Sequence, residues 1–360
     1  MKYISMLFIN FQKLKIKTKN LSKVAIVILN WNGIKFLKEF LPTVIKFSFD
    51  TAEVIVADNY SDDNSVNFLR ENFPEVRIIQ NKSNGGFAKG YNDALAQVDA
   101  DYYILLNSDV EVTKNWISPI IKLMESDKNI ASCQPKILSY HKPENFEYAG
   151  AGGGFIDKYG YPFCRGRLFQ TIEKDMGQFD DTIEIFWASG ACMFIRADLF
   201  HNSGGLDNDF FAHMEEIDLC WRLKNEGYKI MYCPQSVVYH VGGGTLPKSS
   251  SRKTYFNFRN NAILLFKNLP SNKLFFILFS RLFLDGIAAF KFLIEGGWKD
   301  LYAVFRAHLS FYKNFNKTRN KRNKINQKNV SDIYNSNIAI DYFIKRKKHF
   351  SNLDTLKFSK

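Results

Sequence analysis

The sequence predicts an α/β fold in which a mostly parallel sheet is flanked by helices and followed by a helical C-terminal extension. Three observations predict it. Apolar, β-branched runs alternate with helical patterns at βαβ spacing between residues 24 and 106. Each run ends in a cluster of Asn, Asp, Ser or Gly. Beyond residue 250 the chain turns first aromatic and apolar, then polar and basic.

The elements follow in order. VAIVIL (24–29) is a continuous apolar run, as a strand buried on both faces requires. After Gly33, the side chains Phe36, Leu37, Phe40, Leu41, Val44 and Ile45 recur at helical spacing. EVIVA (53–57) is a second strand ending at Asp58, and 65–72 reads as a helix. A third strand is expected over 76–80, and a helix over 86–98 opens on a glycine turn. YYILL (102–106) is the fourth strand and ends in Asn107-Ser108-Asp109. Right-handed crossovers join such strands, and ligands bind beyond their carboxyl ends. Asn30-Trp31-Asn32, Asp58-Asn59, 81–86 and 107–109 all fall at that edge, which predicts a site there. Residues 140–185, glycine-rich over 150–154, lack a period and predict a loop-rich excursion over the site. FWASGACMF (186–194) predicts a return strand. Residues 213–227 predict a helix with Ile217, Trp221 and Leu223 inward and Gly227 as its stop. Two short strands, 228–233 and 237–241, are expected around Pro234.

Charge divides along the chain. Residues 1–23 carry six lysines and no acid, 251–312 nine bases against three acids, and 313–360 thirteen bases against three acids, so the overall +13 leaves 24–250 at −9. An acidic body with basic ends excludes a uniformly basic nucleic-acid-binding globule. The basic run 316–329 also lacks the aromatics that stack on single strands, so no nucleic acid is expected as a partner. Five cysteines without a C-x-x-C pair argue against a disulfide framework or a cysteine zinc site. The N-terminus has no continuous apolar stretch or A-x-A site and reads as a basic cytoplasmic extension, either an amphipathic membrane-contacting helix or a frayed tail.

The apolar stretch 274–294 is interrupted by Arg281, Asp285 and Lys291. A bilayer span needs about 20 apolar residues, and each buried charge costs about 2.5–3.5 kcal/mol. A helix lying on an anionic membrane surface is expected instead, with Phe275, Phe279, Phe283 and Phe290 inserted and basic residues at the headgroups. The alternative is a helical hairpin packed on the preceding domain.

Several residue types point to chemistry. Asp109 is a carboxylate at a strand end, where a divalent cation bridging a diphosphate can be held, although Asn-Ser-Asp alone is also ordinary turn chemistry. His240 ends another strand and precedes a glycine run. Glu215, Glu216 and Asp218 crowd a helix start, where acids cap the dipole or serve as a general base. Asn84-Gly85-Gly86 with Gly90 matches neither the dinucleotide fingerprint nor the P-loop.

In order and spacing, VAIVILNWNG, VADNYSDDNS, NKSNGGFAKGYN, YYILLNSDVEV, WASGACMFIR, FFAHMEEIDLCWRLKNEGYKI and VVYHVGGGT resemble the glycosyltransferase family 2 enzymes of GT-A fold. The rhamnosyltransferase-like branch of cell-surface polysaccharide synthesis is the most similar. The resemblance spans residues 23–265, and TYFNFRNNAILLFKN looks like that branch's C-terminal signature. It implies nucleotide contacts at Asn30, Asn32 and Asp58, and a donor pocket lined by Gly86, Lys89 and Asn92. Asn107-Ser108-Asp109 matches the D-x-D-type motif in its N-x-D form, with Asn107 at the donor, Asp109 as metal ligand and His240 completing the site for Mg²⁺ or Mn²⁺. Glu215-Glu216 falls on the family's E-D motif, so Glu216 is the implied base, although Glu stands where Asp is common and Glu215 stays open. Trp187 and Gly190 fall at sugar-contacting positions.

The implied reaction is a single displacement with inversion, from a dTDP- or UDP-sugar to a lipid-linked or glycan acceptor. The implied place is cytoplasmic, peripheral at the inner face of the membrane. A non-catalytic nucleotide-sugar-binding partner is the alternative. The expected organisation is a basic extension (1–22), a GT-A catalytic domain (23–250), a membrane-associating helical region (251–315) and a basic flexible tail (316–360).

Overall fold

The computed structural model describes residues 22–242 and 250–360. The expected N-terminal extension, Ser22 apart, and the glycines following Gly242 lie outside the described residues. The first half builds β1 (Val24–Asn30), α1 (Ile34–Ser48), β2 (Glu53–Asp58), α2 (Ser65–Asn72), β3 (Arg77–Gln80), α3 (Gly86–Leu95) and β4 (Tyr102–Asn107). The chain continues through β5 (Val110–Val112), α4 (Ser118–Ser126) and β6 (Ile130–Ser139). Then come β7 (Gly154–Asp157), β8 (Pro162–Cys164), β9 (Arg167–Leu168), β10 (Thr171–Ile172), β11 (Ile183–Ile185) and β12 (Cys192–Arg196). After α5 (Ala197–Asn202) and α6 (Glu215–Glu226) runs the long β13 (Lys229–His240). The C-terminal part holds α7 (Ser251–Asn268), α8 (Ser271–Ile294), α9 (Trp298–Lys313), α10 (Phe315–Arg322) and β14 (Ile333–Tyr334).

The main sheet runs β11-β13-β6-β12-β4-β1-β2-β3, with β5 paired to β13. It is mixed rather than mostly parallel. β3, β2, β1 and β4 are parallel, as the βαβ spacing requires. β12 then lies antiparallel to both β4 and β6, because this part of the chain returns without a crossover helix. β1 is buried on both faces. Ala25 and Val27 join one core with Tyr91 and Ala94 of α3, and Val24, Ile26 and Ile28 join the other with Leu37, Leu41 and Val44 of α1. Register aligns the polar strand ends: Asn30 is opposite Asp58, and Leu29 is opposite Asn107.

Four expectations are corrected. Residues 140–185 are not simply a loop, since β7 to β10 form a second sheet, joined by β14 from the C-terminus. The two short strands around Pro234 are one strand, β13, with a register shift between Cys233 and Val237. The expected strand over 186–194 begins only at Cys192.

The fourth correction concerns residues 316–360, which are not a flexible tail. β14 pairs with β7, Arg322 donates to the carbonyls of Phe266 and Leu269 (2.6 and 2.7 Å), and Tyr334 and Ile338 are fully buried. The cause is a sparse set of apolar side chains, including Tyr342 and Leu353, which bury themselves while the lysines between them stay solvated.

α7 is a core element, with Leu264 and Leu265 fully buried. α8 and α9 pack outside it. Arg281 and Asp285 do not interrupt the outer face of α8. They turn inward as a 2.9 Å ion pair, with His308 of α9 at 3.2 Å from Asp285 and the Arg281 guanidinium 4.0 Å over the Tyr161 ring. The outer face keeps Phe275, Phe279, Phe283 and Phe290, each 62–72% exposed. Trp298, Tyr302, Phe305 and Leu309 of α9 are exposed as well. Among the described residues no helix is long and apolar enough to cross a membrane.

Candidate active site

At the carboxyl edge of the sheet the Asn30 amide is buried and donates to Asp58 (3.2 Å) and to the Ser61 hydroxyl (3.3 Å). Asp58 in turn accepts from the Ser61 N–H at 3.1 Å. Asn32, at a φ of 51°, ties the loop after β1 to the next one, accepting from the Asp62 N–H at 2.9 Å. Asn59, Asn81 and Asn84 form a ladder that closes the turn before α3. These contacts set the strand-end loops in one arrangement. The Asn30 Oδ1 is left buried without a hydrogen-bond partner.

Asp109 follows β4, and β13 brings His240 beside it, with Nε2 3.2 Å from its carboxylate. The other ring nitrogen of His240 faces Glu147 at 3.4 Å. All three side chains are buried. Burial alone would lower the His240 pKa, but the Glu147 and Asp109 carboxylates hold it up at about 10. Burial would raise Asp109, yet the hydrogen bond and charge of His240 bring it below the usual carboxylate range. Glu147 is the residue that sequence reasoning missed. It lies in the region without a period, and only its fold contact with His240 reveals it.

Among the described residues no group of three His, Cys, Asp or Glu is arranged to hold a metal. Asp109 and His240 nevertheless fit one as a two-donor set once a bound cation displaces the His240 proton, with diphosphate and water oxygens to fill the other positions. An imidazole whose second nitrogen faces a carboxylate is the usual support of a metal-ligating His, and Glu147 supplies it.

Glu215 and Glu216 open α6 after an unusual turn. Phe211 (φ 63°, ψ −59°) is the centre of a left-handed γ-turn closed by the Ala212 N–H on the Phe210 carbonyl at 2.7 Å. His213 and Met214 are left-handed as well, at φ 70° and 74°. Each such residue costs of order 1–3 kcal/mol, and that strain is concentrated just before the two acids. The turn abuts the start of α3, where the Phe87 N–H donates to the Phe211 carbonyl at 2.7 Å. A Cβ on Gly86, whose φ is +78°, would stand 2.4 Å from that same oxygen, so only glycine fits. Gly86 therefore shapes the site through its backbone.

Both acids carry a buried carboxylate oxygen without a hydrogen-bond partner. Burial and the neighbouring Glu216 push Glu215 well above the carboxylate range, which leaves it neutral. Burial pushes Glu216 to about 7, where a general base is effective. Glu216 is also the less buried of the two. His213 is driven down to about 4 by burial and by Lys253.

Other expected residues have structural duties. Lys89 pairs with Asp93 on its own helix. The Asn92 amide is fully engaged with Leu206 and Asn208, buckling α3 to the loop after α5. Trp187 is not at a surface: it is 4% exposed, donates to the Phe155 carbonyl at 2.9 Å and packs under Gly154. Gly190 lets the Phe87 ring approach, since a Cβ there would sit 3.0 Å from it. Asn107 ends β4 half-buried.

The family model "Glycosyl transferase family 2" matches residues 25–204. The chain is 26% identical over 222 residues, 57% of its length and 71% of the relative's, to the N-acetylglucosaminyl-diphospho-decaprenol L-rhamnosyltransferase of Mycobacterium tuberculosis. It is 24% identical over 310 residues, 82% of its length and 90% of the relative's, to the low-salt glycan biosynthesis hexosyltransferase Agl10 of Haloferax volcanii. The rhamnosyltransferase WbbL of Escherichia coli is 27% identical over 162 residues, covering 43% of this chain and 60% of WbbL. Among solved structures, GalNAc-T7 with UDP, GalNAc and Mn²⁺ superposes with a TM-score of 0.54 at 16% identity, over 71% of this chain and 49% of that one. The mannosyltransferase PcManGT of Pyrobaculum calidifontis, with GDP-Man and Mn²⁺, gives 0.50 at 13%, over 82% and 76%. These likenesses establish an α/β fold of GT-A type.

Proposed function

Because this chain belongs to glycosyl transferase family 2, we propose that it is an inverting, metal-dependent glycosyltransferase that moves a sugar from a dTDP- or UDP-sugar to a lipid-linked or glycan acceptor of the cell surface. Rhamnose is the leading candidate sugar, since two of the similar relatives are rhamnosyltransferases. The observation that carries the reading is Glu216, a half-buried acid with one buried, unpartnered oxygen and a pKa near 7 at the edge that also carries Asp109 and His240.

Asn30, Asn32, Asp58 and Asn107 are the polar groups of that edge and bind the nucleotide. Asp109 and His240 would hold Mg²⁺ or Mn²⁺, with Glu147 fixing the imidazole. When bound, the cation offsets the charge that develops on the leaving diphosphate. Glu216 takes the proton of the acceptor hydroxyl while that oxygen bonds to the anomeric carbon and the bond to the diphosphate breaks. Glu215, held neutral, keeps its charge from opposing ionisation of Glu216 further. No covalent intermediate on the protein is required.

The acceptor's place is supported by the outer face of α8 and α9. Its aromatic side chains suit the acyl boundary of an anionic phospholipid surface, and Lys291, Lys299 and 345–348 supply bases near it. The enzyme accordingly works as a peripheral protein at the cytoplasmic face.

The test is a panel of nucleotide sugars with Mg²⁺ or Mn²⁺, scored by nucleoside diphosphate release. One donor should be consumed, with loss of turnover on chelation and in Asp109→Ala. Binding of a donor without any release, in the presence of acceptor lipid, would favour a non-catalytic partner instead.

A further inference from the structure

We propose that Asn260, with Arg259 behind it, is a positioning residue that holds the left-handed turn 210–214 and thereby sets where Glu216 stands. The inference rests on Glu216 as the base. Asn260 lies in α7, far along the chain from the acids, and is fully buried. Its amide nitrogen reaches three carbonyls of the turn: Phe210 at 3.0 Å, Ala212 at 2.9 Å and His213 at 2.7 Å. An amide has two N–H donors, so one hydrogen is shared between carbonyls. Three converging carbonyl dipoles would repel one another without a donor between them.

Arg259 orients this amide. Its Nε donates to the Asn260 Oδ1 at 2.8 Å, which turns the amide nitrogen towards the carbonyls. Its Nη2 donates to the Asp209 and Phe210 carbonyls at 2.7 and 3.0 Å. One turn earlier on α7, the Phe256 ring stacks on Phe211 at 5.5 Å and 12°. Residues 256, 259 and 260 share one helix face, and that face is a template for a backbone that L-residues avoid. α6 hangs from this turn, since the Asp218 N–H donates to the Met214 carbonyl at 2.9 Å. Strain of this kind persists only where the surroundings over-determine it.

Asn261 provides the control. It is one residue along, also buried, and donates to the Gly160 carbonyl, away from the acids. Asn260→Ala, Asn261→Ala and Glu216→Gln are compared with wild type for thermal unfolding, donor KM, kcat and its pH profile. Misplacing a reacting group by about 1 Å costs about 100-fold. Asn260→Ala should lose 10- to 100-fold in kcat with donor KM within about threefold. The acidic limb of its pH profile should move towards ordinary carboxylate values, because a loosened turn lets water reach Glu216. Asn261→Ala should unfold at a similarly lowered temperature but keep kcat within about twofold and the limb unmoved. Met214→Gly removes one left-handed penalty and should restore part of the kcat of Asn260→Ala.

If Asn260→Ala does not fold, Arg259→Lys, which keeps the charge but loses the fork, should show the same signature in weaker form. Equal effects of the two alanine variants on kcat, or a wild-type limb in both Asn260→Ala and Arg259→Lys, would overturn the clamp. Unchanged turnover in Glu216→Gln would overturn the base assignment instead.

Discussion

Replacing Glu216 by Gln should make the protein more stable and nearly inactive. The Glu216 carboxyl titrates at about 7 in the fold against 4.5 in the unfolded chain, because burial disfavours its charge. The folded state therefore holds this proton more tightly, and its contribution to stability is complete below pH 4.5 and is lost as pH rises through about 7. That interval corresponds to about 3 kcal/mol above pH 7. Glu215 and Asp218 on the same helix, with His213 and Lys253 facing the turn, share the local field, and Gln still needs partners for its amide. The expected gain at pH 8 is thus about 1–3 kcal/mol, or roughly 1–4 °C in Tm for a chain of this size. At pH 5 it should shrink below about 1 kcal/mol. Turnover should fall about 10²- to 10⁴-fold at pH 8, and by about 100-fold less at pH 5, where only about one wild-type Glu216 in a hundred is ionised. Thermal unfolding and single-turnover transfer, each at pH 5 and 8, measure both quantities. A variant no more stable than wild type at pH 8, or one retaining over about a tenth of wild-type turnover at that pH, would exclude Glu216 as the buried base.

Gly86→Ala places a Cβ 2.4 Å from the Phe211 carbonyl at a left-handed φ; it should lower stability by about 1–3 kcal/mol in urea unfolding and reduce kcat, since the turn must move. The double change Phe279→Ser and Phe283→Ser removes rings that are 66% and 69% exposed. Sedimentation with anionic vesicles should fall at least about tenfold with an unchanged Tm, given about 1.5–3 kcal/mol per buried Phe; undiminished binding would count against the membrane face.

The first half of the fold was legible because its strands are buried on both faces, so VAIVIL and YYILL read as unbroken apolar runs. β6 (IASCQPKILS) was not, because Ser132, Gln134 and Lys136 break the pattern. All three are buried, yet satisfied: Ser132 by the Phe194 carbonyl, Gln134 by the Gly150 carbonyl, and Lys136 by Asp175 and Asp180. No local rule announces partners so far away in sequence. The C-terminal residues misled through composition, since a few aromatics among many lysines suffice to close the second sheet.

In the site, Asp109 and His240 were expected together and stand together. Trp187 and Asn92 lie in the right segments, but their polar atoms are spent on Phe155 and on Leu206 and Asn208. Sequence order cannot distinguish a side chain that lines a site from one that supports it. Glu147 illustrates the converse, since it reaches His240 from a segment without a period; Asn260 lies in TYFNFRNNAILLFKN, which resembles a family signature but names no role for it.

The central claim is one-step transfer at this edge, with Glu216 as base and no nucleophile. Its most direct test supplies a labelled nucleotide sugar and a polyprenyl-diphosphate glycan acceptor, recovers the lipid product and reads its anomeric configuration by NMR. One-step displacement puts label in the lipid product with the anomeric centre inverted relative to the donor. A retained configuration, or donor consumption with no label reaching any acceptor, would contradict it.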